Sequence, residues 1–172
     1  MQLHDAIKFL NVPGFDTPQT WADLGCGSGL FTQALAGKLT PESRIYAIDK
    51  TPPQAIFTGE KGISIELIVL DFVKDKWPFN MLDGILMANA FHYVKNKAGF
   101  LARLKTHLKP AGKLVLVEYD TDVPNPWVPY PLKAEQLKRA LESEGFTCGD
   151  VVHRQPSVFG HAELYSLAAI LN

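Results

Sequence analysis

The chain has few of the features that indicate a secreted or membrane-spanning protein. Only two of its 172 residues are cysteines, Cys26 and Cys148, so the sequence carries neither a disulfide framework nor a metal-binding spacing. No apolar run reaches the ~18 residues that span a bilayer, and the N-terminus lacks the layout of a signal peptide. These absences predict a protein of the reducing cytoplasm that binds no membrane and no metal.

The chain also has no excess of charge of one sign. Seventeen basic and 18 acidic residues give a formal net charge of −1, and the lysines and arginines are scattered. This distribution argues against binding to polyanionic nucleic acid, although folding could assemble a small basic face. The length predicts a single domain over residues 1–172, in which residues 1–19 form an N-terminal helix and the loop before the first strand.

The most informative segment present is a glycine-rich turn with the sequence Trp21-Ala-Asp-Leu-Gly-Cys-Gly-Ser-Gly29. It follows a buried-strand pattern and precedes a helix-forming run. Glycine permits positive φ and lets a ligand approach the backbone, and the start of a helix offers unpaired N–H groups to a polar ligand. The segment therefore predicts a nucleotide-type binding turn.

The spacing of the glycines indicates which kind of nucleotide. A dinucleotide-binding turn has the pattern G-x-G-x-x-G, whereas this chain has G-x-G-x-G, with Leu30 in the position of the third glycine. A phosphate loop is excluded because no Gly-Lys-Ser/Thr follows. The string Asp23-Leu-Gly-Cys-Gly-Ser-Gly29 closely resembles motif I of the Rossmann-like (class I) S-adenosylmethionine-dependent methyltransferases.

Strand and helix patterns alternate along the rest of the chain. The predicted strands are Thr20–Leu24, Arg44–Ile48, Ile63–Leu70, Leu82–Ala88, Lys113–Tyr119, Phe146–His153 and Leu164–Leu171. The predicted helices are Met1–Asn11, Leu30–Leu39, Lys97–Leu108 and Leu132–Glu144, with one turn at Gln54–Phe57 and a break at Pro110–Gly112. This alternation predicts a doubly wound, mostly parallel α/β sheet that ends in an antiparallel hairpin. The methyltransferase resemblance covers about Thr20–Asn172 and implies seven strands in the order 3-2-1-4-5-7-6.

Acidic residues follow the second and third predicted strands. Ligands of open α/β sheets bind at the carboxyl ends of strands, so Asp49 and Asp71 should lie beside the glycine turn. A carboxylate suits the two ribose hydroxyls, and we assign that role to Asp49, with Lys50 beside it. The resemblance implies that Asp71 accepts from the adenine amino group and that Phe72 contacts the base. Each carboxylate could instead cap the segment that follows it.

The first and fourth strands should hold the methionine part of the cofactor. The glycine turn would contact the cofactor through Gly25, Cys26, Gly27 and Gly29. The resemblance implies that Asp23 helps to receive the ammonium group through water, although Asp23 could instead brace the turn. Backbone groups of Asn89 and Ala90 should line the sulfonium region.

The acceptor is expected near the ends of the fourth and fifth strands. His92 is the best general-base candidate, because imidazole is nearly neutral at physiological pH, but it could instead pack beneath the loop. Candidate acceptor-lining residues are Tyr93, Tyr119, Trp127 and Tyr130. The four prolines of the segment Val123–Pro131 make it a plausible rigid wall or, equally, a stiff connector. His161 and Tyr165 could join the site or lie elsewhere.

Together these patterns predict an enzyme that moves the methyl group of S-adenosylmethionine to a small-molecule acceptor, chiefly by holding the reacting atoms in line. The sequence Asn89-Ala-Phe-His92 replaces the Asn/Asp-Pro-Pro-Tyr of adenine-amino methyltransferases, and neither cysteine follows a proline as in RNA cytosine-C5 enzymes. Three alternatives stay open: an NAD-linked oxidoreductase, a non-catalytic S-adenosylmethionine-binding module, and an RNA methyltransferase. The oligomeric state is not fixed by the sequence.

Overall fold

A computed structural model of the chain describes residues 1–52, 62–157 and 162–172. The strands are β1 Thr20–Leu24, β2 Arg44–Asp49, β3 Ser64–Val69, β4 Leu82–Ala88, β5 Leu108–Tyr119, β6 Phe146–Pro156 and β7 Glu163–Leu171. The helices are α1 Leu3–Phe9, α2 Leu30–Lys38, α3 Lys97–Lys105 and α4 Ala134–Ser143, with a 3₁₀ turn at Phe91–Tyr93. The helical turn predicted at Gln54–Phe57 and the side chain of His161 lie outside the described residues.

All seven strands form one sheet in the order β3-β2-β1-β4-β5-β7-β6. Strands β1 to β5 pair in parallel, and β7 lies antiparallel between β5 and β6. The predicted strand order and terminal hairpin are confirmed. The hairpin forms because β6 and β7 follow each other without an intervening helix, so β7 must return along the sheet.

Helices cover both faces of the sheet. One buried cluster contains Phe9 of α1 and Leu35 of α2, and a second contains Leu101 of α3 and Leu137 of α4. This arrangement confirms the doubly wound architecture and leaves the carboxyl ends of the strands free for a ligand. None of the helices in the described ranges is long and apolar enough to cross a membrane.

The predicted break at Pro110–Gly112 is wrong, because these residues lie within strand β5. Leu82 pairs with Leu108, and the register then shifts so that Gly84 pairs with Lys113. The extra residues of β5 form a bulge, in which Ala111 has a φ of 58°. Local turn residues suggested a boundary, whereas pairing with β4 continues on both sides of them.

Strand β4 passes very close to the indole of Trp21 at Gly84. A Cβ atom at this glycine would lie 2.4 Å from the indole ring, and Trp21 is fully buried. We expect Gly84→Ala to lower the free energy of unfolding by ~2–3 kcal/mol, because the buried indole or the paired strand would have to shift to accept the methyl group. Urea unfolding monitored by circular dichroism measures this loss.

The matched control is Gly37→Ala in α2, where a Cβ would meet no atom within 4 Å. Alanine is the better helix former, so this change should raise stability by up to ~1 kcal/mol. Equal effects of the two substitutions would contradict the close packing at Gly84.

Candidate active site

The glycine turn joins β1 to α2 and is held by backbone hydrogen bonds. Gly25, Gly27 and Gly29 have φ values of 83°, 51° and 82°, a region that side chains rarely adopt. The N–H groups of Gly25 and Cys26 both donate to the Ile48 carbonyl at 2.8 Å, which ties the turn to the end of β2. The turn is therefore a preformed feature of the fold.

Two of these glycines are needed for different reasons. A Cβ at Gly25 would lie 2.7 Å from the Cβ of Ala90, so the first glycine permits close contact between the turn and the end of β4. A Cβ at Gly27 would meet no atom within 4 Å, and Gly27 lines a large cavity. The second glycine therefore leaves backbone open to a ligand.

Asp49, at the end of β2, contacts both the glycine turn and the segment that follows it. Its Oδ2 accepts from the Gly27 N–H at 3.0 Å, and its Oδ1 accepts from the N–H and hydroxyl of Thr51 at 3.0 and 2.9 Å. The carboxylate therefore caps the following turn with one oxygen and holds the glycine turn with the other. Asp49 and its neighbour Lys50 both line the cavity.

Asp71 lies two residues beyond β3 and also lines the cavity. Its Oδ1 accepts from the N–H groups of Val73 and Lys74 at 3.0 and 3.3 Å, so the capping alternative is realised. Phe72 lines the same cavity, and its carbonyl accepts from the guanidinium of Arg103. These bonds fix the segment that the sequence assigned to the adenine.

Asp23 lies fully buried behind the glycine turn and is not among the cavity-lining residues. Its Oδ2 accepts from the Thr32 hydroxyl at 2.6 Å, whereas its Oδ1 has no partner in the described part of the chain. Burial raises its pKa to about 7, the Thr32 hydrogen bond opposes this, and the charge of Asp49 adds to it. This placement favours bracing of the turn over direct contact with a cofactor.

Cys26 lines the cavity as a protonated thiol. Burial, followed by the nearby carboxylates of Asp23 and Asp49, raises its pKa to about 12. Over residues 1–52, 62–157 and 162–172, no three His, Cys, Asp or Glu side chains are grouped as metal ligands would be. Cys26 thus contributes an unreactive surface to the site.

Asn89 follows β4 in the left-handed conformation, with a φ of 53°. Its Oδ1 is buried, lacks a hydrogen-bond partner among the described residues, and belongs to a residue that lines the cavity. Burial of an unpaired acceptor costs ~1–3 kcal/mol, so this oxygen suits a donor on a ligand. The sequence indicated only the backbone of Asn89 and Ala90. Asparagine tolerates positive φ better than most residues, and this was the sequence signal that could have pointed to a role for the Asn89 side chain.

His92 lies immediately behind the cavity wall. Its side chain is 3% exposed, and its ring centroid is 4.4 Å from that of Tyr93 and 6.1 Å from that of Tyr119, both of which line the cavity. Its Nδ1 shares a 2.7 Å hydrogen bond with Oε2 of buried Glu118, and its backbone N–H donates to Oε1 at 3.1 Å. His92 itself does not line the cavity, which favours the packed alternative.

The aromatic residues of the proline-rich loop lie outside the cavity. Trp127 is 77% exposed, and Tyr130 is 39% exposed and donates its backbone N–H to the His92 carbonyl at 3.0 Å. Neither residue lines the cavity. The loop therefore fits the connector interpretation, and its Tyr130 N–H holds the His92 backbone. Tyr165 is fully buried and donates its hydroxyl to the Leu132 carbonyl.

The cavity has a volume of about 630 Å³ and opens at the carboxyl ends of the parallel strands. Its lining includes these predicted residues: Gly25, Cys26, Gly27, Asp49, Lys50, Asp71, Phe72, Asn89, Ala90, Tyr93 and Tyr119. Five predicted residues do not line it: Asp23, Gly29, His92, Trp127 and Tyr130. Four lining residues that sequence reasoning missed come from the end of β6, the residue after it and the start of β7: Gln155, Pro156, Ser157 and Leu164. No local sequence motif identifies these residues. Leu164 reaches the cavity because it pairs with Tyr119 of β5.

Comparison with known proteins identifies the family. Residues 22–116, more than half of the chain and including the glycine turn, match the methyltransferase domain family. The chain belongs to the S-adenosylmethionine-dependent methyltransferases. S-adenosylmethionine is therefore the cofactor that the family assigns to it, in place of the NAD of the oxidoreductase alternative.

Solved structures share the fold of this methyltransferase over nearly its whole length. The 1,6-didemethyltoxoflavin-N1-methyltransferase of Burkholderia thailandensis is 19% identical, with a TM-score of 0.76 over 99% of this chain and 78% of that one. A methyltransferase from Aquifex aeolicus is 21% identical, with a TM-score of 0.66 over all of both chains. These likenesses concern the fold alone.

A relative by sequence is phosphoethanolamine N-methyltransferase 3 of Arabidopsis thaliana. The two are 26% identical over 121 residues, which make up 68% of this chain and 24% of the plant enzyme. The chain therefore spans about a quarter of that relative's length.

Proposed function

We propose that this methyltransferase binds S-adenosylmethionine in the 630 Å³ cavity and transfers the methyl group to a small-molecule acceptor beside Tyr93 and Tyr119. The observation that carries the proposal is the bond between Asp49 and Gly27, at the rim of one cavity that also reaches both tyrosines. One continuous cavity thus extends from the proposed nucleoside-binding residue Asp49 to the aromatic residues Tyr93 and Tyr119. Two free cysteines are in keeping with the reducing cytoplasm, which is the compartment we propose.

In this proposal the cofactor lies across the ends of β2, β1 and β4. Asp49 accepts hydrogen bonds from the ribose hydroxyls, with Lys50 beside it, and Asp71 and Phe72 contact the adenine. The backbone of Gly25–Gly29 contacts the methionine part. The Oδ1 of Asn89, which lacks a partner among the described residues, accepts a hydrogen bond from that part of the cofactor. Asp23, behind the turn, helps to receive the ammonium group through water.

The sulfonium of the cofactor supplies an activated methyl group, so the protein acts mainly by positioning. Holding nucleophile, methyl carbon and sulfur in line supplies ~7–11 kcal/mol. The raised pKa of Cys26 keeps a competing thiolate out of the site. Burial and then the charge of Glu118 raise the pKa of Tyr119, which keeps its phenol neutral.

His92 has a positioning role in this proposal. A general base must come within hydrogen-bond reach of the acceptor, whereas the His92 ring lies behind Tyr93 and Tyr119. Glu118 holds both the ring and the backbone of His92, and so it fixes the 3₁₀ turn that presents Tyr93 to the cavity. The pair therefore shapes the acceptor end.

Nitrogen is the acceptor atom that we propose. The names of the plant relative and of the Burkholderia enzyme both place the transferred methyl group on nitrogen. An amine or ring nitrogen with a free lone pair attacks the methyl carbon directly, so a site without a contacting base suits it.

The Asp49 assignment predicts a specific loss of cofactor affinity. Asp49→Ala should weaken binding of S-adenosylhomocysteine at least tenfold, because it removes a charge-assisted pair of hydrogen bonds to the ribose and frees the Gly27 N–H. Isothermal titration calorimetry with S-adenosylhomocysteine measures this without turnover.

Asp150→Ala is the matched control, because it removes the same charge from an exposed position on β6. It should leave the affinity unchanged. Unaltered affinity in Asp49→Ala would refute the ribose assignment, and failure of the wild-type chain to bind would refute the proposed site.

A further inference from the structure

We propose that the acceptor of this methyltransferase is an uncharged planar aromatic molecule rather than a phosphorylated or carboxylated one. This inference rests on the proposed function, because it concerns the end of the same cavity. Three observations carry it: an aromatic wall, the lack of charged side chains beside that wall, and the distance from the wall to the cavity's cationic side chains.

The aromatic wall consists of Tyr93 and Tyr119 over the buried ring of His92. The ring of His92 is tilted by 52° to Tyr93 and by 51° to Tyr119, so the three rings form one contiguous cluster. Tyr93 remains 50% exposed although it lines the cavity. An exposed tyrosine ring backed by a second ring is suited to stacking against a flat ligand.

The side chains beside this wall carry no formal charge. In the described ranges, β6, the residue after it and β7 contribute Gln155, Pro156, Ser157 and Leu164 to the lining. Met1, which carries the N-terminal ammonium, also lines the cavity. The nearby cation Arg154 does not line the cavity and is paired with Asp120 and Glu163. An anionic group beside these residues would therefore lose part of its hydration without gaining a charged side chain as a partner, which is costly.

The cationic side chains that do line the cavity belong to its opposite end. Lys50 follows β2, and Lys74 follows β3. In the strand order β3-β2-β1-β4-β5, the end of β2 lies three strand spacings from Tyr119, or ~14 Å at ~4.8 Å per strand. A small phosphorylated amine at Tyr119 is shorter than this separation, and the cofactor lies between.

The charges behind the wall do not attract an anion either. The Glu118 carboxylate is buried beneath it, next to His92 and Tyr119. The ammonium of Lys97 is turned toward the carbonyls of Phe91 and Val94, at 3.0 and 2.9 Å, and is not part of the cavity lining. A ligand at the wall therefore faces tyrosine rings and phenol groups with a carboxylate behind them.

The experiment compares one neutral probe with two anionic probes after the cofactor site has been filled. The wild-type chain is first titrated with S-adenosylhomocysteine, and failure at this step refutes the proposed function. Benzimidazole, benzimidazole-5-carboxylate and phosphoethanolamine are then titrated into the saturated complex near neutral pH. Benzimidazole should bind at least tenfold more tightly than either anion. Equal or tighter binding of an anion, or no binding of benzimidazole, overturns the inference.

Two variants locate the binding. Tyr93→Leu should weaken benzimidazole binding about five- to tenfold because the stacking surface is lost, whereas Tyr93→Phe keeps the ring and should stay within about twofold of wild type. The affinity of each variant for S-adenosylhomocysteine, measured in the same series, normalises the comparison. Benzimidazole affinity that is the same in both variants would show that the probe does not bind at Tyr93, and would overturn the inference.

Discussion

Replacing His92 by alanine is expected to lower the free energy of unfolding by ~3–5 kcal/mol. The His92 and Glu118 side chains are 3% and 5% exposed and share a 2.7 Å hydrogen bond. Removal of the imidazole leaves the Glu118 carboxylate buried, held only by the backbone N–H of residue 92 among the bonds described for it. Breaking such a pair costs more than the pair itself contributes, because one charge is stranded in the interior.

The matched variant removes both partners. His92→Leu combined with Glu118→Leu should recover most of the lost stability, because no unpaired charge remains. Urea unfolding of the three proteins measures the recovery. If His92→Ala keeps full stability and cofactor affinity but loses turnover, the packed role is refuted and the general-base role stands.

Asp23 should make the stability of this methyltransferase fall as the pH rises. Its pKa is about 7 in the folded chain, against 3.8 for an ordinary aspartate, because burial penalises the charged form. Below pH ~4 the carboxyl is protonated in both the folded and the unfolded chain. As the pH rises toward 7, the unfolded chain ionises first, so the folded state loses stability by about 4 kcal/mol in total.

Asp23→Asn removes this dependence while keeping an oxygen that accepts from the Thr32 hydroxyl. Denaturant unfolding at several pH values between about 4 and 8 should show a falling curve for the wild type and a much flatter one for the variant. Other titrating groups contribute to both curves, so the difference between them reports Asp23. Parallel curves would mean that Asp23 titrates normally, which would contradict the burial of its carboxyl group with an Oδ1 that lacks a partner in the described part of the chain.

The parts of the fold that local sequence determines could be predicted. The strand Thr20–Leu24 and the turn after it were predicted from a buried run followed by glycines, and the structure has both at those positions. Asp49 and Asp71 could be placed at one edge of the sheet because parallel strands end on the same side. These inferences needed only periodicity and the geometry of α/β sheets.

The parts that depend on distant packing could not be predicted. The bulge at Pro110–Gly112 exists because β4 pairs on both sides of it. Ser157 follows β6, and it reaches the cavity because β6 pairs with β7 and β7 pairs with β5. The burial of His92 depends on a carboxylate 26 residues away, which no local pattern connects to it.

A crystal structure of the chain with S-adenosylhomocysteine tests the central claim most directly. The account predicts adenosine in the 630 Å³ cavity, with ribose hydroxyls within about 3.2 Å of the Asp49 carboxylate and the sulfur directed toward Tyr93 and Tyr119. Adenosine bound elsewhere, or a ribose that makes no contact with Asp49, would contradict it.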